Sequence, residues 1–179
     1  MKFAPDDLVR PFAGLRPAPD RASDIAAPPY DVVNTEEARE LAAGRPFSFF
    51  HVSRAEIDLP PETDPYADEV YRRAAENLQS FETSGALIRD PEPCFYIYRI
   101  TMDGRSQTGV AVSASVQAYN ENRIKKHELT RPAKEDDRVR QIEAVNSITG
   151  PVFTVHRANR ELDDLTGEIA SGAPDAVAD

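Results

Sequence analysis

The stretch CFYIYRITMDGRSQTGVAVSASV, residues 94–116, decides the fold class. Cys94 to Thr101 is a run of aromatic and β-branched residues, Asp103-Gly104 is a two-residue turn signal, and Gln107 to Val116 carries Val110, Val112, Ala114 and Val116 at alternate positions. Together they read as a β-hairpin with one face inward. Just upstream, PYADEVYRRAAENLQSFET (65–83) places Tyr66, Val70, Ala74, Leu78 and Phe81 at spacings of three or four. That is one face of a long helix ending near Gly85. Elements of both kinds mix without regular β-α alternation, which predicts an α+β chain, a mixed sheet with flanking helices.

The flanking sequence fits that class. The first 33 residues are proline-rich and lack helical apolar spacing, predicting turns and short extended pieces. Asn34 or Thr35 can cap a helix through Ala43, with Gly44 at its exit. The run Pro46-Phe47-Ser48-Phe49-Phe50-His51-Val52 reads as a buried strand. Toward the C-terminus, Ile142 and Val145 support a helix ending near Gly150, Val152 to Val155 a strand, and Leu162, Leu165 and Ile169 a final helix. At 179 residues the chain predicts a single α+β domain over 1–179.

Charge and cysteine content exclude several functions. A net charge of −10 repels nucleic-acid phosphates at long range, so double-stranded nucleic acid is not an expected partner. The lone cysteine, Cys94, cannot form an internal bridge, and no secretory leader pattern opens the sequence, so a reducing cytoplasmic location is expected. No apolar run approaches the roughly 20 residues of a membrane span. Neither GxxxxGKS/T nor GxGxxG occurs, which removes the usual P-loop and Rossmann phosphate cradles. Cys94 reads as a buried small hydrophobe, because no cation adjoins it to stabilise a thiolate.

Against this acidic background, RIKKHELTRPAKEDDRVR (123–140) holds seven of the 21 lysines and arginines. Pro132 biases Arg131 away from helical backbone and suits a helix start, so the segment straddles a loop and a helix beginning near Lys134. On that helix Lys134 and Arg138, four apart, share a face and can reach one anion near the N-terminus. Arg131 adds a planar guanidinium and Lys125 or Lys126 a point charge, the parts of a clamp on a transferring phosphoryl group. His127 and Glu128 are the nearest groups to take a hydroxyl proton, and Asp136 and Asp137 are available for base or Mg²⁺ roles. The competing reading is a solvated charged loop with local ion pairs.

Three further places carry candidates. His51 is either a histidine at the core edge or a proton carrier. Within Ala27-Pro28-Pro29-Tyr30-Asp31, Tyr30 and Asp31 are either presented to a substrate or belong to a proline-stiffened packing turn. His156 is the weakest of the three histidines, and their scatter matches no zinc spacing.

The motifs PFAGLRP (11–17), APPYDVV (27–33), FHV (50–52), GRSQTG (104–109) and KKHELTRPAKEDDR (125–138) closely resemble the bacterial and archaeal family known as domain of unknown function 1015. The resemblance runs from the start to about Arg157, and family members are typically longer, so the chain resembles an N-terminal portion. The family is in turn similar to the ParB and sulfiredoxin-like superfamily, in which a short motif ending in arginine before a helix holds nucleotide phosphates. His127-Glu128-Leu129-Thr130-Arg131 matches that position, which assigns Thr130 and Arg131 to phosphate. The resemblance implies a kinase making O-phosphoserine from free serine, with ADP, ATP or pyrophosphate as donor and Mg²⁺ bridging donor oxygens. A regulatory module that binds nucleotide without turnover is the alternative it implies.

Overall fold

The computed structural model describes residues 4, 7–127 and 130–178. In chain order the elements are β1 (Val9–Arg10), β2 (Leu15–Pro17), α1 (Ala22–Ile25), α2 (Thr35–Ala42), α3 (Phe50–Ser53), a 3-10 helix (Ala55–Asp58) and α4 (Asp68–Thr83). They continue with β3 (Leu87–Arg89), β4 (Tyr96–Met102), β5 (Arg105–Ala111), β6 (Ser113–Ala114), α5 (Val116–Asn120), α6 (Pro132–Val145) and α7 (Arg160–Ala170). The fold is α+β, with small sheets and flanking helices. Among the described residues the strands form three two-stranded sheets, β1-β6, β2-β3 and β4-β5, where one mixed sheet was expected. Local sequence keeps these strands short. Pro11, Pro17, Pro91 and Pro93 interrupt the pairing segments, and Ser115 ends β6 by capping α5 through a bond from the Ala118 amide.

The chain folds into two compact units. One draws described residues from 1–15, 89–129 and 151–175, the other from 16–88, 130–150 and 176–179.

In the first unit the β4–β5 hairpin forms as the sequence predicts, with Met102 opposite Arg105. Asp103 and Gly104 both have positive φ, 51° and 74°, the backbone of a type I′ turn that matches strand twist. The α7 helix packs against both strands, and Arg99 Nη2 donates to the Ala170 carbonyl (3.2 Å). The Tyr96 hydroxyl accepts the Gly14 amide at 2.7 Å and lies 2.7 Å from Asp90 Oδ2. Val112 is half-buried, but Ala114 is exposed and Val116 already belongs to α5, so the expected inward alternation stops at Val112.

In the second unit α2 is held by a complete capping box. Asn34 Oδ1 accepts from the Glu36 and Glu37 amides, and the Glu37 carboxylate accepts from the Asn34 amide. Ala38, Ala42, Phe50 and Ile57 form a buried cluster joined by Ala27 and Val33. Burial of Phe50, which is wholly inaccessible, is worth about 3 kcal/mol. The α4 helix buries Val70, Tyr71, Ala74, Leu78 and Phe81 and packs against α3 and α6.

Five expectations require correction. Residues 46–52 form turns leading into α3, because the Ser53 and Arg54 amides close back on the Phe49 and Phe50 carbonyls, and among the described residues the one backbone–backbone bond to another segment runs from Phe49 N to Ile25 O. Val152, Phe153 and Val155 are exposed and in no strand, since a β-prone run makes a strand only with a hydrogen-bonded neighbour. Tyr66 is exposed and precedes α4: the Asp64 carboxylate takes its amide in a turn, so the helix begins at Asp68. Cys94 is exposed, because its backbone bridges Phe12 in both directions without seating the thiol in a core. Finally, α6 is one helix ending at Val145, where Asn146 adopts left-handed backbone (φ 49°), so its end comes before Gly150.

Candidate functional site

The α6 helix starts as its sequence dictates. Proline at N1 excludes Arg131 from helical backbone, and Arg131 takes φ −82°, ψ 126°. Its carbonyl receives the Lys134 and Glu135 amides, and no side chain among the described residues caps the helix. Unpaired amides at a helix start favour negative charge beside them. Arg131 and Lys134 are exposed beside it, and Lys134 Nζ lies 3.3 Å from Tyr66 Oη. The Thr130 hydroxyl donates to the Glu135 carboxylate at 2.7 Å, which keeps that carboxylate occupied next to the cations.

One turn further on, the side chains lock together. Asp137 is buried; its Oδ1 accepts from the Tyr71 hydroxyl (2.8 Å) and its Oδ2 from Arg138 Nη2 (2.7 Å) and Nε (3.1 Å). The Arg138 guanidinium lies 4.0 Å from the centroid of the Tyr30 ring, so the APPYD turn and α6 meet at this residue. Arg140 covers the Tyr71 ring at 4.3 Å and bonds Asp68 Oδ1 and the Tyr66 carbonyl. Burial, then the bond to Asp137, pushes the Tyr71 phenol up to about 12, so it remains a donor throughout the neutral range.

The remaining candidates are differently placed. His51 points one ring nitrogen at Asp58 and the other at the Arg45 carbonyl, so neither is open to a substrate. Asp31 and Asp136 are exposed. Lys126, over the Tyr119 ring at 4.7 Å, and exposed His127 belong to the first unit, whereas Thr130, Arg131, Lys134 and Arg138 belong to the second. Glu128 lies outside the described residues. His156, with Nδ1 2.8 Å from the Arg157 carbonyl, is exposed and ends no strand.

A Mg²⁺ ion held by protein alone does not fit here. Both Asp137 oxygens are taken by protein donors, and among the described residues no three His, Cys, Asp or Glu side chains converge to hold a metal. No helix of the described residues is long and apolar enough to cross a membrane.

A family model described as a protein of unknown function, DUF1015, matches residues 9–179. The chain belongs to the DUF1015 family. No curated protein and no solved structure matches it. The DUF1015 match continues past the KKHELTRPAKEDDR segment through α7, so it takes in both compact units except residues 1–8.

Sequence reading missed Tyr71 as a member of this DUF1015 site. Its signal was present: Tyr71, Ala74, Leu78 and Phe81 follow spacings of three and four, placing a phenol on the buried face of α4. Gln141 was also missed. It is buried, and its Nε2 donates to the Val52 carbonyl at 2.9 Å, tying α6 to α3.

Proposed function

We propose that this protein is a small-molecule phosphotransferase that binds its phosphate donor at the start of α6. The observation that carries the reading is the uncapped, proline-led N-terminus of α6 flanked by exposed Arg131 and Lys134, with Arg138 one turn beyond. Helix-end amides and guanidinium groups stabilise phosphate charge without a glycine-rich loop. The resemblance to ParB and sulfiredoxin-like proteins adds free serine as acceptor and ADP, ATP or pyrophosphate as donor, in the cytoplasm. Mg²⁺ would come with the donor and neutralise phosphate charge there, with no protein ligand required of this chain. Within the unit that holds Arg131, Tyr30 and Asp31 contribute to the acceptor side.

The test is calorimetric titration of the chain with ADP, ATP and pyrophosphate in Mg²⁺, wild type against Arg131→Ala, followed by an assay for phosphoserine. Donor binding lost on substitution and product formed from serine support the reading. Wild-type protein that binds none of the donors would overturn it.

A second reading, a regulatory module that binds nucleotide without turnover, is favoured by one observation. In the unit that holds Arg131, both His51 nitrogens and both Asp137 oxygens are already engaged by the protein. Saturable nucleotide binding without phosphoserine would select it.

A further inference from the structure

Arg138 differs from Arg140, the other arginine of α6, in that its carboxylate partner is buried: the Asp137 side chain is 8% exposed, whereas Asp68, which pairs with Arg140, is fully exposed. Two of its five N–H donors, one on Nε and one on Nη2, go to the same Asp137 oxygen, and its guanidinium carbon lies over the Tyr30 ring. Of the other three, two lie on the edge formed by Nη1 and Nη2, and none meets a protein acceptor among the described residues. The side chain is 29% exposed, so solvent and ligand can reach it. Asp137 is itself fixed: its side chain is 8% exposed, and its second oxygen receives the hydroxyl of buried Tyr71 from α4. The chain of contacts thus runs Tyr71, Asp137, Arg138, Tyr30, and each link restricts the rotamers of the next.

A purely structural ion pair would leave the guanidinium with no further work. The geometry nevertheless resembles a prepared anion contact. A carboxylate and an aromatic face define the plane and rotation of the guanidinium, and its remaining edge presents parallel N–H groups at the spacing of two phosphate oxygens. Holding a long cation in advance removes side-chain entropy that binding would otherwise cost.

We infer that Tyr71 and Asp137 are positioning residues that orient Arg138 to bind a terminal phosphate group of the donor through its Nη1–Nη2 edge. This rests on the phosphotransferase reading and assigns Asp137 to orienting an arginine, where the sequence offered it as a metal ligand. It also commits the site to a phosphate with two unesterified oxygens on one face, as at either end of pyrophosphate.

The experiment is a double-mutant cycle on the full chain, with pyrophosphate as probe and the affinity read by calorimetry beside the melting temperature. Arg138→Ala and Asp137→Asn each weaken binding about tenfold, which is about 1.4 kcal/mol. In the Arg138→Ala background, Asp137→Asn causes no further loss, because its effect passes through the arginine. Tyr71→Phe, which keeps the carboxylate and the ring, weakens binding severalfold and serves where Asp137→Asn folds poorly. Additive losses, or wild-type affinity in Arg138→Ala, would overturn the inference. If Arg131→Ala abolishes binding while Arg138→Ala does not, the donor site stands and only this positioning role falls; no binding by wild type removes both.

Discussion

His51 Nδ1 lies 2.7 Å from Asp58 Oδ1, and the opposite ring nitrogen lies 3.1 Å from the main-chain oxygen of Arg45. Neither a carboxylate nor a carbonyl can donate, so these contacts favour the doubly protonated, cationic imidazole. Asn77 completes the knot, donating to Asp58 Oδ2 and to the His51 carbonyl.

Stability should therefore depend on pH in a defined direction. The hydrogen bond to Asp58 raises the His51 pKa above its ordinary 6.5, outweighing the lowering by burial. Burial would raise the Asp58 carboxyl, but bonds from His51 and Asn77 together hold it below its ordinary 3.8. A raised histidine contributes fully below 6.5 and loses its contribution as pH climbs through the folded value. A depressed carboxyl contributes above 3.8 and loses its contribution as pH falls through its folded value. Urea unfolding should show this pair contributing most between about pH 4 and 6.5 and progressively less as pH climbs through the raised histidine value. His51→Gln should flatten the alkaline limb; an unchanged limb in that variant would exclude the ionic pair as its cause.

Gly14 is required by space. A Cβ there would sit 2.8 Å from the Tyr96 hydroxyl and 2.9 Å from its Cζ, at a ring that Asp90 also holds. Gly14→Ala should destabilise the chain by about 1–3 kcal/mol. Tyr96→Phe should fail to rescue it, since Cζ remains, whereas Tyr96→Ala should remove the penalty added by the methyl group. Chemical denaturation of the three combinations decides.

Gln141 joins α6 to α3 by one buried bond to Val52. Gln141→Leu removes the donor and leaves a buried carbonyl unpaired, for a loss of about 1–3 kcal/mol. Hydrogen exchange should show faster opening of the α6 amides, and unchanged protection would show that the bond does not hold the helix.

Asn34→Ala removes the acceptor for two amides of α2 and should cost about 1 kcal/mol, while Asn34→Asp should be nearly neutral because the side-chain oxygen is kept. Equal losses in both variants, by thermal unfolding, would contradict the capping assignment.

Arg131→Lys should recover only part of the pyrophosphate affinity lost in Arg131→Ala, because an ammonium lacks the planar pair of donors. Full recovery would show that charge alone suffices at the start of α6.

Local instructions were readable wherever one segment satisfies its own backbone. The Asp103-Gly104 turn, the Asn34 cap, the Pro132 helix start and the apolar face of α4 each follow from residues within a few positions of one another. The same locality explains the errors. Phe47 to Val52 and Val152 to Val155 carry strand-like residues, but a strand is a relation between two segments, and neither finds a ladder partner. The sequence alone determined the α+β class, the long helix, the hairpin and a concentration of cations ahead of α6. Only tertiary structure decided which charges are already committed: it closed His51 onto Asp58 and Arg45, closed Asp137 onto Tyr71 and Arg138, and set Tyr30 against Arg138. The reason is physical. Helix and turn geometry depend on neighbours in sequence, whereas the partner of a buried charge is chosen by whichever distant side chain packing brings within hydrogen-bonding distance.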